Sequence, residues 1–90
     1  MNNELKNDFE FMTSLEISKE IAKKIKTIRK KRFKTQELFA KHIGISYSKY
    51  ARFEKSGQIQ FVDFIEVVKG IDKVEDLQTI FNPKKELISW

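Results

Sequence analysis

The fold of this chain is decided by one stretch, Thr35-Gln-Glu-Leu-Phe-Ala-Lys-His-Ile-Gly-Ile-Ser-Tyr-Ser-Lys-Tyr-Ala-Arg-Phe-Glu54. Thr35 offers a side-chain oxygen to the first turn of a helix, and Gly44 supplies the left-handed backbone that commonly ends one. Ser46 repeats the capping chemistry two residues later. The stretch therefore predicts two short helices, joined by a turn that leaves the second helix to start at an angle to the first.

The apolar residues of this stretch fall on one face of each predicted helix. Phe39, Ala40 and Ile43 recur at helical spacing on the first, and Tyr50 and Phe53 are three residues apart on the second. We expect both faces to point into the core. The outer face of the second helix is rich in hydrogen-bond donors that suit base edges and phosphates in a DNA major groove: Tyr47, Ser48, Lys49 and Arg52.

Three further helices are predicted around this pair, so the expected fold class is all-α, a compact five-helix domain. The capping-box pattern from Thr13 to Glu16 opens the first helix, which ends near Arg32. The fourth ends around Gly70, and the fifth stops at Asn82-Pro83 because proline cannot extend a helix. Their apolar positions are Ile17, Ile21, Ile25 and Ile28, then Phe61, Phe64, Ile65 and Val68, then Val74, Leu77, Ile80 and Phe81. We assign the phenylalanines to the core.

The composition describes one small basic domain with no room for a second. The chain has 90 residues and a net charge of +5, and 40% of its residues are hydrophobic. Its pI is near 9.5. We interpret residues 1–13 as a flexible N-terminal arm, residues 14–82 as the helix-turn-helix domain and residues 83–90 as a C-terminal tail.

The residue types present argue against several classes of protein. With no cysteine, the chain has neither disulfides nor thiolate metal ligands, and its one histidine, His42, lacks a partner at metal-ligand spacing. We expect no cofactor, no metal and no catalysis, and we assign His42 to the surface. Neither a secretory signal pattern nor an apolar run of bilayer length is present, so we expect a cytoplasmic protein that does not bind membranes.

Residues 17–81 resemble the helix-turn-helix domains of the Cro and lambda-repressor type, often called the XRE family. The matching residues, in this order and bracketed by helices of the right length, are Thr35, Gln36, Ala40, Gly44, Ser46 and Glu54. The resemblance implies a lambda-repressor-like fold. It also implies a transcriptional repressor that binds a palindromic operator in double-stranded DNA as a homodimer.

The same resemblance implies roles for individual residues. Gln36 would contact a phosphate at the start of the second helix, and Lys34 and Lys55 would flank the site as further phosphate contacts. Arg29 would pair with Glu54 in an ion pair that is structural and does not read DNA. The residues that would face the major groove are Ser46, Tyr47, Ser48 and Arg52. The loop after Glu54 departs from the family pattern because it contains no proline.

A narrower likeness gives an alternative function. The segments from Arg52 to Ile59 and from Val74 to Phe81 are similar to XRE regulators that serve as HipB-like antitoxins beside HipA-like kinases. This likeness implies a protein that binds and neutralises a kinase-like toxin and uses DNA binding to regulate their shared operon. Two interpretations of Trp90 stay open, a frayed chain end and an anchor for a partner.

Other interpretations of these features have to be weighed. The alternative for the helix pair is a helical core module that carries a glycine turn and has no role in DNA binding. The basic run from Lys23 to Lys34 also fits a solvated helix face, and a membrane-surface helix is disfavoured because the isoleucines form the single stripe that the core needs. RNA binding is a weaker alternative, since these aromatic residues are assigned to the core and leave no stacking platform.

Overall fold

The computed structural model describes residues 8–82, which form five α-helices after a short 3-10 turn at Phe9–Phe11. The helices are α1 (Ser14–Arg32), α2 (Gln36–Ile43), α3 (Tyr47–Ser56), α4 (Phe61–Gly70) and α5 (Val74–Phe81). No strand occurs among these residues, so the prediction of an all-α five-helix fold is confirmed. None of the five helices has both the length and the apolar character needed to cross a bilayer. Most of the predicted arm and the tail with Trp90 lie outside the described residues.

Side-chain caps start the first three helices where the sequence predicts them. Thr13 and Glu16 form a reciprocal capping box, in which each side chain accepts a hydrogen bond from the other residue's backbone N–H. Thr35 Oγ1 accepts from the N–H of Leu38 at 3.1 Å. Ser46 Oγ accepts from the N–H of Lys49 at 3.2 Å. These bonds satisfy backbone donors that the helices themselves leave unpaired, and they fix the first residue of each helix.

The core is built from residues of α1, α2, α3 and α4 and of the turn after α4. α3 packs against both α1 and α2, while α4 packs against α2 and α5. The buried apolar residues are Ala22, Ile25, Phe39, Ala40, Tyr50, Phe53, Val67, Val68 and Ile71. Tyr50 and Phe53, which the helical spacing predicts to face inward, are among them. The middle of the stretch that decides the fold is therefore also the middle of the core.

The assignment of the phenylalanines to the core is wrong for four of the eight. Phe39 and Phe53 are fully buried, and Phe33 and Phe64 pack against the core from its edge. The exposed ones are Phe9, Phe11, Phe61 and Phe81, with exposed fractions from 40% to 71%. Each of these four lies in the 3-10 turn or at the end of a helix. There the helical period no longer decides which way a side chain faces.

Polar contacts join the C-terminal end of α1 to the connection between α4 and α5. Arg32 Nη2 donates to the carbonyl of Gly70 at 3.0 Å, and Arg32 Nη1 lies 2.8 Å from Asp72 Oδ2. Asp72 adopts the left-handed backbone conformation with φ of 60°, which is uncommon outside glycine. The Arg32 guanidinium thus stabilises the turn from which α5 begins.

Two glycines end helices in the left-handed conformation but differ in their surroundings. Gly44, after α2, has φ of 80°, and no atom lies within 4 Å of the position that a Cβ would take. Gly57, after α3, has φ of 78°, and a Cβ there would come within 2.7 Å of the Ser18 backbone in α1. Ser18 Oγ also donates to the Gly57 carbonyl. The end of α3 is therefore in direct backbone contact with α1.

We expect Gly57→Ala to destabilise the domain more than Gly44→Ala. Both changes place a Cβ on a left-handed residue, which costs about 1–2 kcal/mol. Gly57→Ala also forces the backbones of α1 and α3 apart, and overpacking of this kind adds about 1–3 kcal/mol. Urea unfolding of both variants measures the difference, and equal losses of stability would contradict the close contact between α1 and α3.

Candidate nucleic-acid interface

The outer face of α3 presents polar and basic side chains to solvent. Tyr50 and Phe53 point into the core, whereas Ser48 and Arg52, four residues apart, lie on the opposite side of the helix and are exposed. Tyr47 is 54% exposed at the first position of α3. A helix of this length spans about 15 Å and fits into a major groove about 12 Å wide. The face has the exposure and the donors that DNA reading requires.

Ser46 and Ser48 lie together at the start of α3. The Ser46 hydroxyl oxygen accepts the capping bond from Lys49, and it lies 3.5 Å from the Ser48 hydroxyl. Both side chains are exposed. Ser46 therefore has a structural role as a cap, and its hydroxyl proton stays available for a second partner on the solvent side.

Two of the three predicted phosphate contacts are exposed. Lys34, in the loop before α2, and Lys55, near the end of α3, are both exposed. Gln36 is only half-buried, but its Nε2 donates to Glu54 Oε1 at 2.7 Å. The side chain that the resemblance assigns to a phosphate is thus bound to an acid within the domain. One N–H of its amide remains for another acceptor.

A buried ion pair fixes α3 against α1. Arg29 and Glu54, the pair that the resemblance implies, are joined by two parallel hydrogen bonds, Nε to Oε2 at 3.0 Å and Nη2 to Oε1 at 2.9 Å. The side chains are 3% and 2% exposed. Two-bond pairing of a guanidinium with a carboxylate fixes both direction and distance. The last turn of α3 is therefore fixed relative to the last turn of α1.

The buried carboxylate and guanidinium of this pair also form hydrogen bonds with other groups. Tyr50 donates its hydroxyl proton to Glu54, so the carboxylate accepts four hydrogen bonds in all, two of them from Arg29. Arg29 Nη1 donates to the carbonyls of Phe33 and Lys34 at 3.0 and 3.2 Å. A buried charge is tolerated when it is paired and hydrogen-bonded, which is the case here. The network joins α1, α2, α3 and the loop before α2.

The network shifts the pKa values of its members in the directions that this geometry requires. Hydrogen bonding to Glu54 raises the pKa of Arg29 against the opposing effect of burial. Burial alone would raise the pKa of Glu54, but the hydrogen bonds from Arg29, Gln36 and Tyr50 outweigh it and lower that pKa. Burial, followed by the Glu54 hydrogen bond, raises the pKa of Tyr50. Both partners of the pair are therefore charged at neutral pH.

One residue beside the interface was missed by the sequence reasoning. Asp63, in the first turn of α4, lies next to α3, and its Oδ2 is 3.8 Å from Lys49 Nζ. Acids in the first turn of a helix are common because they favour its dipole, so the sequence gives no signal that this one lies beside α3. Lys49, one of the residues predicted to contact DNA, is thus paired with an acid.

No protein-family model, curated protein or solved structure matches this chain. The functional interpretation therefore depends on the geometry of the chain's own side chains.

Within residues 8–82, no three histidine, cysteine, aspartate or glutamate side chains come together as a metal site would require. His42 is exposed, and the centroid of its ring lies 4.8 Å from the centroid of the Phe33 ring.

Removal of Arg29 should destabilise the domain far more than removal of its neighbour Lys30. Arg29→Ala leaves Glu54 buried without its counter-charge, and breaking a buried pair in this way costs about 3–5 kcal/mol. Lys30 is exposed, so Lys30→Ala should change stability by no more than about 0.5 kcal/mol. Thermal or urea unfolding compares them, and similar losses for the two variants would refute a structural role for the pair.

The lowered pKa of Glu54 predicts how stability depends on pH. In the unfolded chain this carboxyl has its ordinary pKa of about 4.5, whereas in the native domain its pKa is lower. Its contribution is therefore fully present above about pH 5 and is lost as the pH falls through the native value. Urea unfolding of wild type and Glu54→Gln between about pH 6 and pH 3 should show a stability gap that narrows on acidification. A stability difference between the two proteins that does not change with pH would contradict the lowered pKa of Glu54.

Proposed function

We propose that this protein is a sequence-specific transcriptional repressor that binds double-stranded DNA through the outer face of α3. The observation that carries the proposal is the exposure of Tyr47, Ser48 and Arg52 on a short helix whose opposite side is buried. The net charge of +5 adds a sequence-independent attraction to phosphates. A repressor of this kind acts by occupying its operator and needs no catalytic group.

The geometry supports a division of labour among the interface residues. Lys34, in the loop before α2, and Lys55, in the last turn of α3, are exposed cations, and as phosphate contacts they would set affinity and its dependence on salt. Tyr47, Ser48 and Arg52 would set sequence preference through base edges. Gln36 fits a lesser role in affinity, because one of its two amide N–H groups already donates to Glu54.

A homodimer is part of the proposal, because one recognition helix covers only a few base pairs. Two copies related by a twofold axis read half-sites about 34 Å apart. The exposed apolar residues of α5 support a contact between copies, since Ile80 and Phe81 are 68% and 71% exposed. An apolar groove of about 440 Å³ runs between this helix, α1 and α4. Exposed apolar surface of this kind marks a protein contact.

The same apolar surface also supports the second candidate function, an antitoxin that binds a kinase-like toxin and represses their shared operon. A toxin would then cover α5 in place of, or beside, a second copy of this chain. The two functions are compatible, because both use α3 for DNA. A kinase-like gene beside the gene for this chain would favour the antitoxin. Co-purification of that kinase in a defined ratio would then establish it.

Selection from a random duplex pool tests the proposed function directly. The wild-type chain should enrich a palindrome whose half-sites are centred about one helical turn apart. The DNA upstream of its own gene should then be retained in a gel shift, with affinity that falls as salt rises. Failure to enrich any sequence would refute sequence-specific binding, and stronger enrichment from a single-stranded RNA pool would favour the RNA alternative.

Arg52→Ala should relax selectivity at one base pair of each half-site. A bidentate contact from arginine to guanine is worth about 1–3 kcal/mol of discrimination against the wrong base. Lys41→Ala, which removes an exposed cation from α2, is the control and should leave the consensus unchanged. Selection with both variants measures the effect. An unchanged consensus for Arg52→Ala would remove this residue from the base-reading set.

A further inference from the structure

An unusual carboxylate lies beside the DNA-reading helix. The Asp63 side chain is only 18% exposed. Its Oδ2 is buried and has no hydrogen-bond partner, and no other side-chain nitrogen or oxygen described in residues 8–82 combines these two properties. Buried polar atoms without a partner are rare in folded proteins, and each one calls for an explanation. The nearest cation is the ammonium of Lys49, at 3.8 Å from Oδ2.

Helix capping does not explain this placement. An acid in the first turn stabilises a helix by accepting backbone hydrogen bonds or by favouring its dipole. Asp63 Oδ2 accepts no such bond, and the residue before α4, Gln60, makes no side-chain capping bond either. A dipole effect operates for a solvent-exposed acid as well, so it does not require that this oxygen lose its hydrogen-bond partners. The buried position of Asp63 therefore points to the neighbour that it faces.

That neighbour belongs to the proposed DNA-reading surface. Asp63 lines a small cleft of about 180 Å³ between α3, α4 and the loop that joins them. The other lining residues are Lys49, Arg52, Gln58, Ile59 and Gln60. Asp63 is the one acid among them, and two of the others are interface cations. The Lys49 side chain is 56% exposed, so a DNA phosphate can compete with Asp63 for its ammonium.

We propose that Asp63 is a positioning residue that holds Lys49 away from phosphates and thereby suppresses sequence-independent DNA binding. This inference depends on the proposed function. In a non-specific complex nearly all affinity comes from phosphate contacts, so withholding one cation weakens that complex. In the operator complex the base contacts fix the position of α3 and supply part of the affinity, so withholding Lys49 from a phosphate lowers the affinity for the operator less. Asp63 thus increases selectivity because it weakens binding to DNA of arbitrary sequence, although it does not itself contact the operator.

The salt dependence of binding to a duplex of arbitrary sequence tests the inference. Each phosphate that a lysine neutralises steepens the plot of log affinity against log salt by about 0.9. Asp63→Asn should release Lys49, steepen the slope by about 0.9 and raise non-specific affinity roughly five- to eightfold near 0.1–0.15 M salt. Operator affinity should rise less, so the ratio of specific to non-specific affinity should fall. Fluorescence anisotropy with a labelled duplex measures both.

The matched control is Glu66→Gln, on the same helix and with the same loss of one negative charge. Glu66 lies 4.0 Å from Lys69 and lines a cleft beside α2, away from α3. This variant should keep the wild-type slope, which separates release of Lys49 from a general increase in net charge. Asp63→Ser is a second variant, expected to steepen the slope as well, in case Asp63→Asn perturbs folding.

A double-variant comparison assigns the effect to Lys49. In a Lys49→Met background, Asp63→Asn should no longer steepen the slope, because no released ammonium remains. Persistence of the full effect there, or equal slopes for Asp63→Asn and Glu66→Gln, would overturn the inference while leaving DNA binding intact. Absence of any duplex binding by the wild-type chain, down to about 50 mM salt, would instead overturn the proposed function and this inference with it.

Discussion

The structure depends on the buried pair between Arg29 and Glu54. Removing two charges from water is costly, and the cost is offset here because the carboxylate accepts four hydrogen bonds and the guanidinium reaches two carbonyls besides. An apolar pair of similar size could also be buried here, but it would not fix the orientation of α3 relative to α1. The two parallel bonds and the Tyr50 hydroxyl set the rotation of α3 about its axis. That rotation decides which side chains face outward.

Packing alone would leave this rotation less well defined. Tyr50 and Phe53 bury one side of α3, and Gly57 brings its end against the backbone of α1. With these three constraints in place, Ser48 and Arg52 have only the solvent side available. The proposed function requires this rigidity, because contacts to bases discriminate between sequences only when the side chains are held in a fixed geometry. Asp63 adds an electrostatic element to the same surface, which is otherwise dominated by cations.

Much of the fold could be predicted from local chemistry. Thr35, Gly44 and Ser46 act through their own backbone neighbours, and the structure has each in its expected role. The ion pair is predicted only by the family resemblance, since spacing alone does not show that Arg29 contacts Glu54, 25 residues later in the chain. Asp63 was missed for the same reason. Its significance arises only when α4 packs beside α3, and a first-turn acid has an ordinary explanation in the sequence. The exposed phenylalanines show the opposite limit, because aromatic character alone does not predict burial at the ends of helices, where the helical period no longer fixes the direction of a side chain.

The most direct test of this account is to map where a duplex contacts the chain. Amide chemical shifts of the isotope-labelled protein, recorded during titration with duplex DNA at low salt, report the contact residue by residue. The account predicts that the largest shifts fall at residues 34–36 and 46–52 and in the loop after α3, with α5 and the exposed face of α1 little affected. Shifts centred on the lysines of α1, with α3 unchanged, would contradict the claim that the outer face of α3 reads DNA.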